Sequence, residues 1–382
     1  MINIIMFVSA TFTATAQSGY DALLQQIETN STTLSVLRQQ MEVQQLGNRT
    51  GVYLANPEVE FNYLWGSPSA VGNRIDFTVV QSFDFPTAYV HRNKMAALQN
   101  KNVELEYKAE RIKLLLSAKQ ICIELIYNNA LAKEYAVRLQ NAERIAATYK
   151  SRMSKGDANV IENNKAQLNL STVQNEMTRI EAERMALLAQ LKSLNGGLEI
   201  VFPDNEYPVD MLPSDFEEWY AIAEAKSPML QYVSGQIEIG QRQLKLSRAL
   251  NLPKFSAGYT GEHLVSEQFR GITVGMSVPL WENKNTLKQA KTQLRANELA
   301  LTDSRLQFYN HLRMLYAKAV ALQQNAMQIK RSLSEYNNVS LLQRALDAGE
   351  ISLLNYLLEV EYYYDAINKA LEAERNYQLT VA

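Results

Sequence analysis

Residues 18–63 of this chain recur at 214–259 with a constant offset of 196. Ser18, Glu28, Ser31, Leu34, Gln40, Glu42, Gln45, Leu54, Pro57 and Tyr63 reappear as Ser214, Glu224, Ser227, Leu230, Gln236, Glu238, Gln241, Leu250, Pro253 and Tyr259. Chance agreement of ~6% per position, from ordinary residue usage, gives about a third as many matches. A second echo pairs Arg152, Gly156 and Asp157 with Arg344, Gly349 and Glu350, the glycines lying 193 apart. The chain is read as two copies of one unit, 17–197 and 214–382, joined by a proline-bearing linker at 198–213.

Each copy opens on a helix-start pattern, Ser18-x-x-Asp21 and Ser214-x-x-Glu217, in which the serine oxygen accepts a free amide and the acid reaches back. The helices should run to about Leu54 and Leu250, where Pro57 and Pro253 end them. The hydrophobic period then switches from 3.6 to 2. Val59, Phe61, Tyr63 and Trp65 alternate with polar residues, as do Ile75, Phe77, Val79, Phe83 and Phe85. The second copy repeats this with Phe255, Ala257 and Tyr259, then Ile272, Val274, Met276, Val278 and Leu280. Strands are therefore predicted at about 58–65, 74–85, 254–262 and 271–281.

Residues 87–155 and 280–348 contain neither glycine nor proline, so each of these 69-residue stretches predicts one very long helix. At ~1.5 Å per residue such a helix approaches 100 Å, which implies an elongated molecule. Gly156 and Gly349 interrupt, giving turns at about 153–159 and 346–352, after which helix resumes. Leu170, Val173, Met177, Ile180, Leu187, Leu191 and Leu194 step by three and four, as do Leu353, Leu357, Val360, Tyr364, Ile367 and Leu371. A second stripe, Tyr363, Ala366, Ala370, Ala373 and Tyr377, gives the last helix two neighbours. Asn164, Gln167 and Gln174 stand where the second copy has Leu357, Val360 and Ile367, so the first helix pair should be the looser.

Composition removes several classes of function. A net charge of −2 gives no basic surface for nucleic acid. The single cysteine, Cys122, allows no disulfide framework or thiolate metal cluster. His91, His263 and His311 show no metal-ligand spacing, and no nucleophile elbow or phosphate loop is present, so neither an enzyme nor a cofactor is expected. Residues 4–10 form a short apolar core and Ala14-Thr15-Ala16 a small-x-small cleavage site, which predicts a cleaved export signal over 1–16. Beyond it no apolar run is long enough for a membrane helix.

Strands of about ten residues with one apolar, aromatic-rich face fit what a tilted strand needs to cross a bilayer. Four strands cannot close a barrel; three copies would supply twelve and leave a lumen. The fold class expected is mainly α with a small β part, a trimer whose strands close a 12-stranded barrel in lipid with twelve helical strands below it. Glu58, Glu60, Arg74, Asp76, Asp84 and Lys254 would line the bore.

The duplicated helix–strand–strand–helix order, Leu191-Lys192-Ser193-Leu194-Asn195-Gly196, Ser277-Val278-Pro279-Leu280 and the two glycine turns resemble the TolC-like outer-membrane efflux factors. The resemblance covers essentially the whole chain after residue 16. It implies a homotrimeric exit duct, a 12-stranded β-barrel in the outer membrane of a Gram-negative bacterium continuous with a long periplasmic α-helical barrel. A periplasmic adaptor protein and an inner-membrane pump would be its partners, with outer-membrane lipid around the barrel. It also implies that Gly156, Asp157, Ala158, Gly349, Glu350, Ile351 and Ser352 form the periplasmic tip where the adaptor docks. Some members constrict that tip with acidic rings six and nine residues past the second glycine; here those positions are Asn355 and Leu358. Asn355, Leu358 and Glu359 are thus the gate candidates, with Glu361 a further nearby acid. The rival reading, a structural coiled coil without channel activity, leaves four amphipathic strands unexplained.

Overall fold

The computed structural model describes residues 19–208 and 212–382. The expected export signal at 1–16, and Ser18 of the first helix-start pattern, lie outside the described residues. The elements run α1 (Gly19–Asn30), α2 (Thr32–Gly47), β1 (Glu58–Leu64), β2 (Arg74–Phe83), α3 (Pro86–Lys155) and α4 (Val160–Leu194). The second copy follows as α5 (Phe216–Lys226), α6 (Pro228–Ala249), β3 (Lys254–His263), β4 (Gln268–Ser277), α7 (Thr286–Glu335), α8 (Val339–Ala348) and α9 (Leu353–Val381). The chain divides into two compact units, each drawn from both copies. Residues up to 35, Ile112–Phe216 and His311–Ala382 form one, Val36–Arg111 and Glu217–Asn310 the other.

Two predicted helices are broken where the sequence reading ran them through. Ser31 separates α1 from α2, and Ser227 separates α5 from α6. Each serine hydroxyl accepts the amide of the residue three further on, Leu34 and Leu230, at 3.4 Å in both cases. Both serines belong to the 196-residue echo, so the duplicated residue is an internal N-cap. Pro228 at the first turn of α6 fixes the break in the second copy, since its missing N–H costs nothing there. The first helix also stops early, α2 closing at Gly47 and Gly51 taking φ 72°. At the second helix-start pattern, α5 begins at Phe216, two residues beyond Ser214.

The long helix of the first copy holds: α3 is unbroken for 70 residues. Its counterpart does not. Chain 336–338 divides α7 from α8, and Asn337 accepts the amide of Val339 through its side chain at 3.2 Å. A short amide side chain that bonds nearby backbone competes with the helix ladder, which is how an Asn-Asn pair ends a helix without glycine or proline.

In the second unit the strands form one antiparallel sheet in the order β1-β2-β3-β4, so β2 and β3 join the two copies. Thr78 pairs with Thr260 across that join, their hydroxyls 3.1 Å apart. The register places Val59, Phe61, Phe77, Val79, Tyr259, Ile272, Val274 and Met276 on one face. The other carries Glu58, Glu60, Asn62, Arg74, Asp76, Thr78, Ser256, Thr260, Glu262 and Thr273. β2 and β4 end at Phe83 and Ser277, short of the predicted 85 and 281. β4 begins three residues early, because Leu264 N–H bonds Glu267 O at 2.9 Å and closes a tight hairpin. All four flanking helices meet the sheet at the end opposite the two hairpin loops, as the pairings Glu58 with Val80, Phe83 with Phe255 and Lys254 with Ser277 require.

In the first unit α1, α3 and α4 pack around Ile27, Cys122, Leu125, Ile126, Leu187 and Leu191. The linker is no slack tether over its described part. Ile200 and Phe202 are buried in the same core, and Asn129 Nδ2 donates to the carbonyls of Phe202 and Asp204 at 3.1 and 2.8 Å. Burial pushes the Cys122 thiol up to about 12. Both stripes predicted for α9 are at least half-buried. Early α4 buries only Ala166, whereas early α9 buries Leu353, Tyr356 and Val360, the asymmetry expected from Asn164 and Gln167.

Candidate functional site

The two glycine turns, both in the first unit, are built alike to the individual hydrogen bond. After α3, Gly156 takes φ 82°, its N–H bonds Met153 O at 3.1 Å and the Asp157 N–H bonds Arg152 O at 2.9 Å. After α8, Gly349 takes φ 76°, its N–H bonds Leu346 O at 3.1 Å and the Glu350 N–H bonds Ala345 O at 2.9 Å. Both are the left-handed helix ending in which two backbone amides satisfy the last carbonyls. Three residues beyond each glycine the next helix is capped. Asn159 accepts from Glu162 N at 2.9 Å and Glu162 returns the bond, whereas Ser352 Oγ accepts from Asn355 N at 3.2 Å. Nothing crowds a Cβ at either glycine, so the requirement is for the backbone angle alone.

Of the predicted tip residues, Gly156, Asp157, Gly349 and Glu350 are exposed. Ala158 and Ile351 are half-buried against the core of Ile145, Tyr149, Ala166, Leu346, Leu353, Tyr356 and Val360 that holds the two helical hairpins together. Ser352 is spent on its cap. A cleft of about 340 Å³ between the hairpins is lined by Arg144, Thr148, Tyr149, Arg152, Asp347 and Gly349. Arg144 spans it to Asp347 at 3.1 Å, an exposed pair that contributes little by itself. The gate candidates Asn355, Leu358 and Glu359 are all exposed on α9.

Two buried polar residues tie α3 to α9, and sequence reasoning missed both. The Tyr356 side chain is 1% exposed, its hydroxyl accepting from Asn141 Nδ2 at 2.7 Å and donating to Gln343 Oε1 at 2.9 Å. Burial raises the Tyr356 phenol above its ordinary range, and the bond from Asn141 only partly opposes this. Arg138, 4% exposed, lies between the rings of Tyr135 and Tyr364, 4.4 and 4.3 Å from their centroids. Its Nη2 donates to Asn368 Oδ1 at 2.9 Å and to the Tyr364 carbonyl at 3.3 Å. Burial draws the Arg138 guanidinium below its ordinary value, though an arginine stays charged at any working pH. Neither residue sits in a motif. Asn141 and Arg138 lie one helical turn apart on α3, which was the one available signal.

The second unit supplies the other predicted set. Arg74 Nε contacts Asp76 at 2.7 Å and Glu262 at 2.9 Å on the polar face of the sheet, and Glu262 was not foreseen. Glu60 accepts from Asn62 Nδ2 at 3.0 Å. Lys254 bonds Glu282 at 2.9 Å, beside the sheet's helix end. Asp84 does not join this face freely. It lies just past β2, where Arg92 of α3 donates to it at 2.6 Å and Tyr89 Oη accepts its amide at 3.0 Å. The apolar face is open: Ile272 is 84% exposed and Val274 79%. Among the described residues no helix is long and apolar enough to cross a membrane, and no group of acids, histidines or cysteines could hold a metal.

A single antiparallel sheet fed from one end by four helices, with two glycine-turned helical hairpins, is the fold of the TolC-like outer-membrane efflux channels. The chain is similar to a membrane protein from Pseudomonas aeruginosa at a TM-score of 0.79 and 14% identity, covering 96% of this chain and 92% of that one. VceC, an outer membrane protein from Vibrio cholerae, superposes at 0.77 with 14% identity, over 94% and 93% of the two chains. The Campylobacter jejuni CmeC outer membrane channel gives 0.76 and 14%, over 95% and 84%. At such identities the likeness is one of fold. No protein-family model matches the chain, and no curated protein does.

Proposed function

We propose that the chain is the outer-membrane exit duct of a tripartite efflux or secretion system. It passes substrates from an inner-membrane pump and a periplasmic adaptor to the exterior. One observation carries the reading: a four-stranded sheet whose apolar face exposes Val59, Phe61, Phe77, Tyr259, Ile272, Val274 and Met276 while its opposite face carries charges. Lipid is the covering that such a face takes without leaving buried polar groups unpaired. Three chains would close twelve strands around a wet bore, and β1 and β4 are the edges free for that pairing. Residues 17–197 and 214–382 are then two copies of the duct unit, and 198–213 the connection between them.

A duct performs no covalent chemistry. It lowers the barrier for polar cargo by replacing hydrocarbon with water, and its lining charges select among ions. Glu58, Glu60, Asp76 and Glu262 against Arg74 and Lys254 bias the bore toward cations. The two glycine turns are the tip that receives the adaptor, through exposed Asp157 and Glu350. With Asn355 and Leu358 uncharged, closure rests on the links between the hairpins, the Tyr356 bonds and the Arg138 stack. Opening is a rearrangement of packed helices that breaks those links, biased by adaptor binding. Purification from outer membranes followed by single-channel recording tests the reading. A conducting species extracted only by detergent supports it; a water-soluble, non-conducting product refutes it.

A further inference from the structure

The charges of the second unit are distributed unevenly along its helices. The four stretches that adjoin the sheet, 40–49, 86–95, 240–249 and 284–293, hold nine lysines and arginines against one acid, Glu42, in a chain of net charge −2. The strand register brings all four to the same end of the sheet. Lys94, Lys245, Arg248, Lys288 and Lys291 are exposed and Arg242 is half-buried. None of these six makes an ion pair among the described residues. Of the acids at this end Asp84 is paired with Arg92 and Glu282 with Lys254, which leaves exposed Glu42 and Glu58 against these six cations. Buried Ala88, Leu246 and Ala249 pack the start of α3 on the end of α6. There Arg242, Lys245 and Lys94 all act on His91, so three cations from two helices converge on one patch.

Like charges in excess of their counter-ions repel one another, which costs stability unless an anion is supplied from outside. What adjoins the patch says which anion. Moving from the apolar face toward the helices, the chain passes exposed Val278 and Leu280, then Trp281, 80% exposed, with Tyr53 exposed before β1. Apolar band, aromatic ring, cation is the order in which a bilayer presents hydrocarbon, interface and phosphate. We propose that these helix ends form a cationic collar that binds the phosphates of anionic phospholipid headgroups in the adjoining leaflet. This rests on the membrane reading above and adds a lipid preference to it. The collar also sets how deep the sheet sits, since sinking it further would bury charges and raising it would expose Trp281.

The test uses the full chain purified in a neutral detergent and titrated with short-chain phosphatidylglycerol or short-chain phosphatidylcholine. The expected result is binding of phosphatidylglycerol tighter by about tenfold or more, the preference falling as sodium chloride screens the charges. The combined substitution Lys94→Gln, Arg242→Gln, Lys245→Gln and Arg248→Gln should abolish the preference. Lys94→Arg with Lys245→Arg should keep it, and so should Lys150→Gln with Lys165→Gln, which lie in the first unit. Equal affinity for the two lipids, a preference indifferent to salt, or one that survives the fourfold change overturns the collar. Should the fourfold variant fail to fold, the salt series on the unaltered protein still decides. A protein that needs detergent for extraction yet shows no lipid preference sinks the collar alone; one that is soluble without detergent sinks the membrane reading with it.

Discussion

Asn141 on α3 donates from its side-chain amide to the Tyr356 hydroxyl on α9 at 2.7 Å, a hydrogen bond between two helices made 215 residues apart in sequence. The hydroxyl in turn donates a hydrogen bond to Gln343 Oε1 at 2.9 Å, so one phenol links α3, α8 and α9. Tyr356→Phe keeps the ring in its buried site and deletes both bonds. It should destabilise the hairpin assembly by about 1–2 kcal/mol, since the partners are left in a dry site. If this link holds the tip shut, ~1.4 kcal/mol raises the open fraction about tenfold. Single-channel recording of the variant reads it directly, and an unaltered open probability removes Tyr356 from the gate.

The glycines separate backbone strain from crowding. At Gly156 and Gly349 an added Cβ meets nothing within 4 Å, so Gly156→Ala should cost only the ~1 kcal/mol of a left-handed residue. Gly196 takes φ 66°, and its Cβ would stand 2.4 Å from the Asn30 carbonyl oxygen. Gly196→Ala should therefore lower the melting temperature well beyond Gly197→Ala next door, where φ is 87° and the space is open. Equal losses at the two neighbours would show that the carbonyl contact is not tight.

Proline at Gly349 is a different matter. Gly349→Pro demands a φ near −65° where 76° is needed, and removes the N–H that bonds Leu346 O. Export should be lost while the barrel still assembles in the membrane. Full export by this variant would mean that the turn is not the docking tip.

On the sheet, neighbouring residues should respond oppositely to charge. Val274→Lys places a cation on the exposed apolar face and should cost about 2–4 kcal/mol of membrane stability at mid-depth. Thr273→Lys, on the polar face, should be tolerated and should shift ion selectivity toward anions. Urea midpoints in lipid vesicles with reversal potentials check both, and a reversed order would exchange the two faces.

Cys122 gives a pH signature. Its folded thiol is pushed up to about 12 against an ordinary value near 9. The folded state therefore holds its proton where the unfolded chain loses it, and this contribution to stability is complete below about pH 9 and fades as pH rises toward 12. A thiol reagent should leave the native protein unmodified at pH 8 and react at once after denaturation. Rapid native labelling would contradict the burial.

The strands and both glycine turns are legible along the chain because their causes are local. Alternation of apolar and polar residues has only one backbone that buries one face, and glycine is the residue that takes a left-handed helix end without strain. The helix breaks leave only an ambiguous mark in the sequence. Ser31 and Ser227 stood among the echoed residues, yet a serine inside a helical run looks the same whether it caps or points to solvent. The α7–α8 break at Asn337 and Asn338 carries neither glycine nor proline, the two residues that most plainly end a helix. Asp84 reads as a bore charge along the chain because its pairing with Arg92 depends on the angle at which α3 leaves β2.

By itself the sequence determined the duplication, the alternating strands and the positions of the two glycine turns, since each follows from residue type and short-range spacing. Only the tertiary structure decided that the two hairpins of strands join into one sheet through β2 and β3. It alone brought Tyr356 to Asn141, seated Arg138 between two tyrosine rings, and gathered cations from four separate stretches at one end of that sheet. The physical reason is the same throughout. Propensity and periodicity act over a few residues, whereas hydrogen bonds between helices and the summed field of distant charges exist only once the chain has closed on itself.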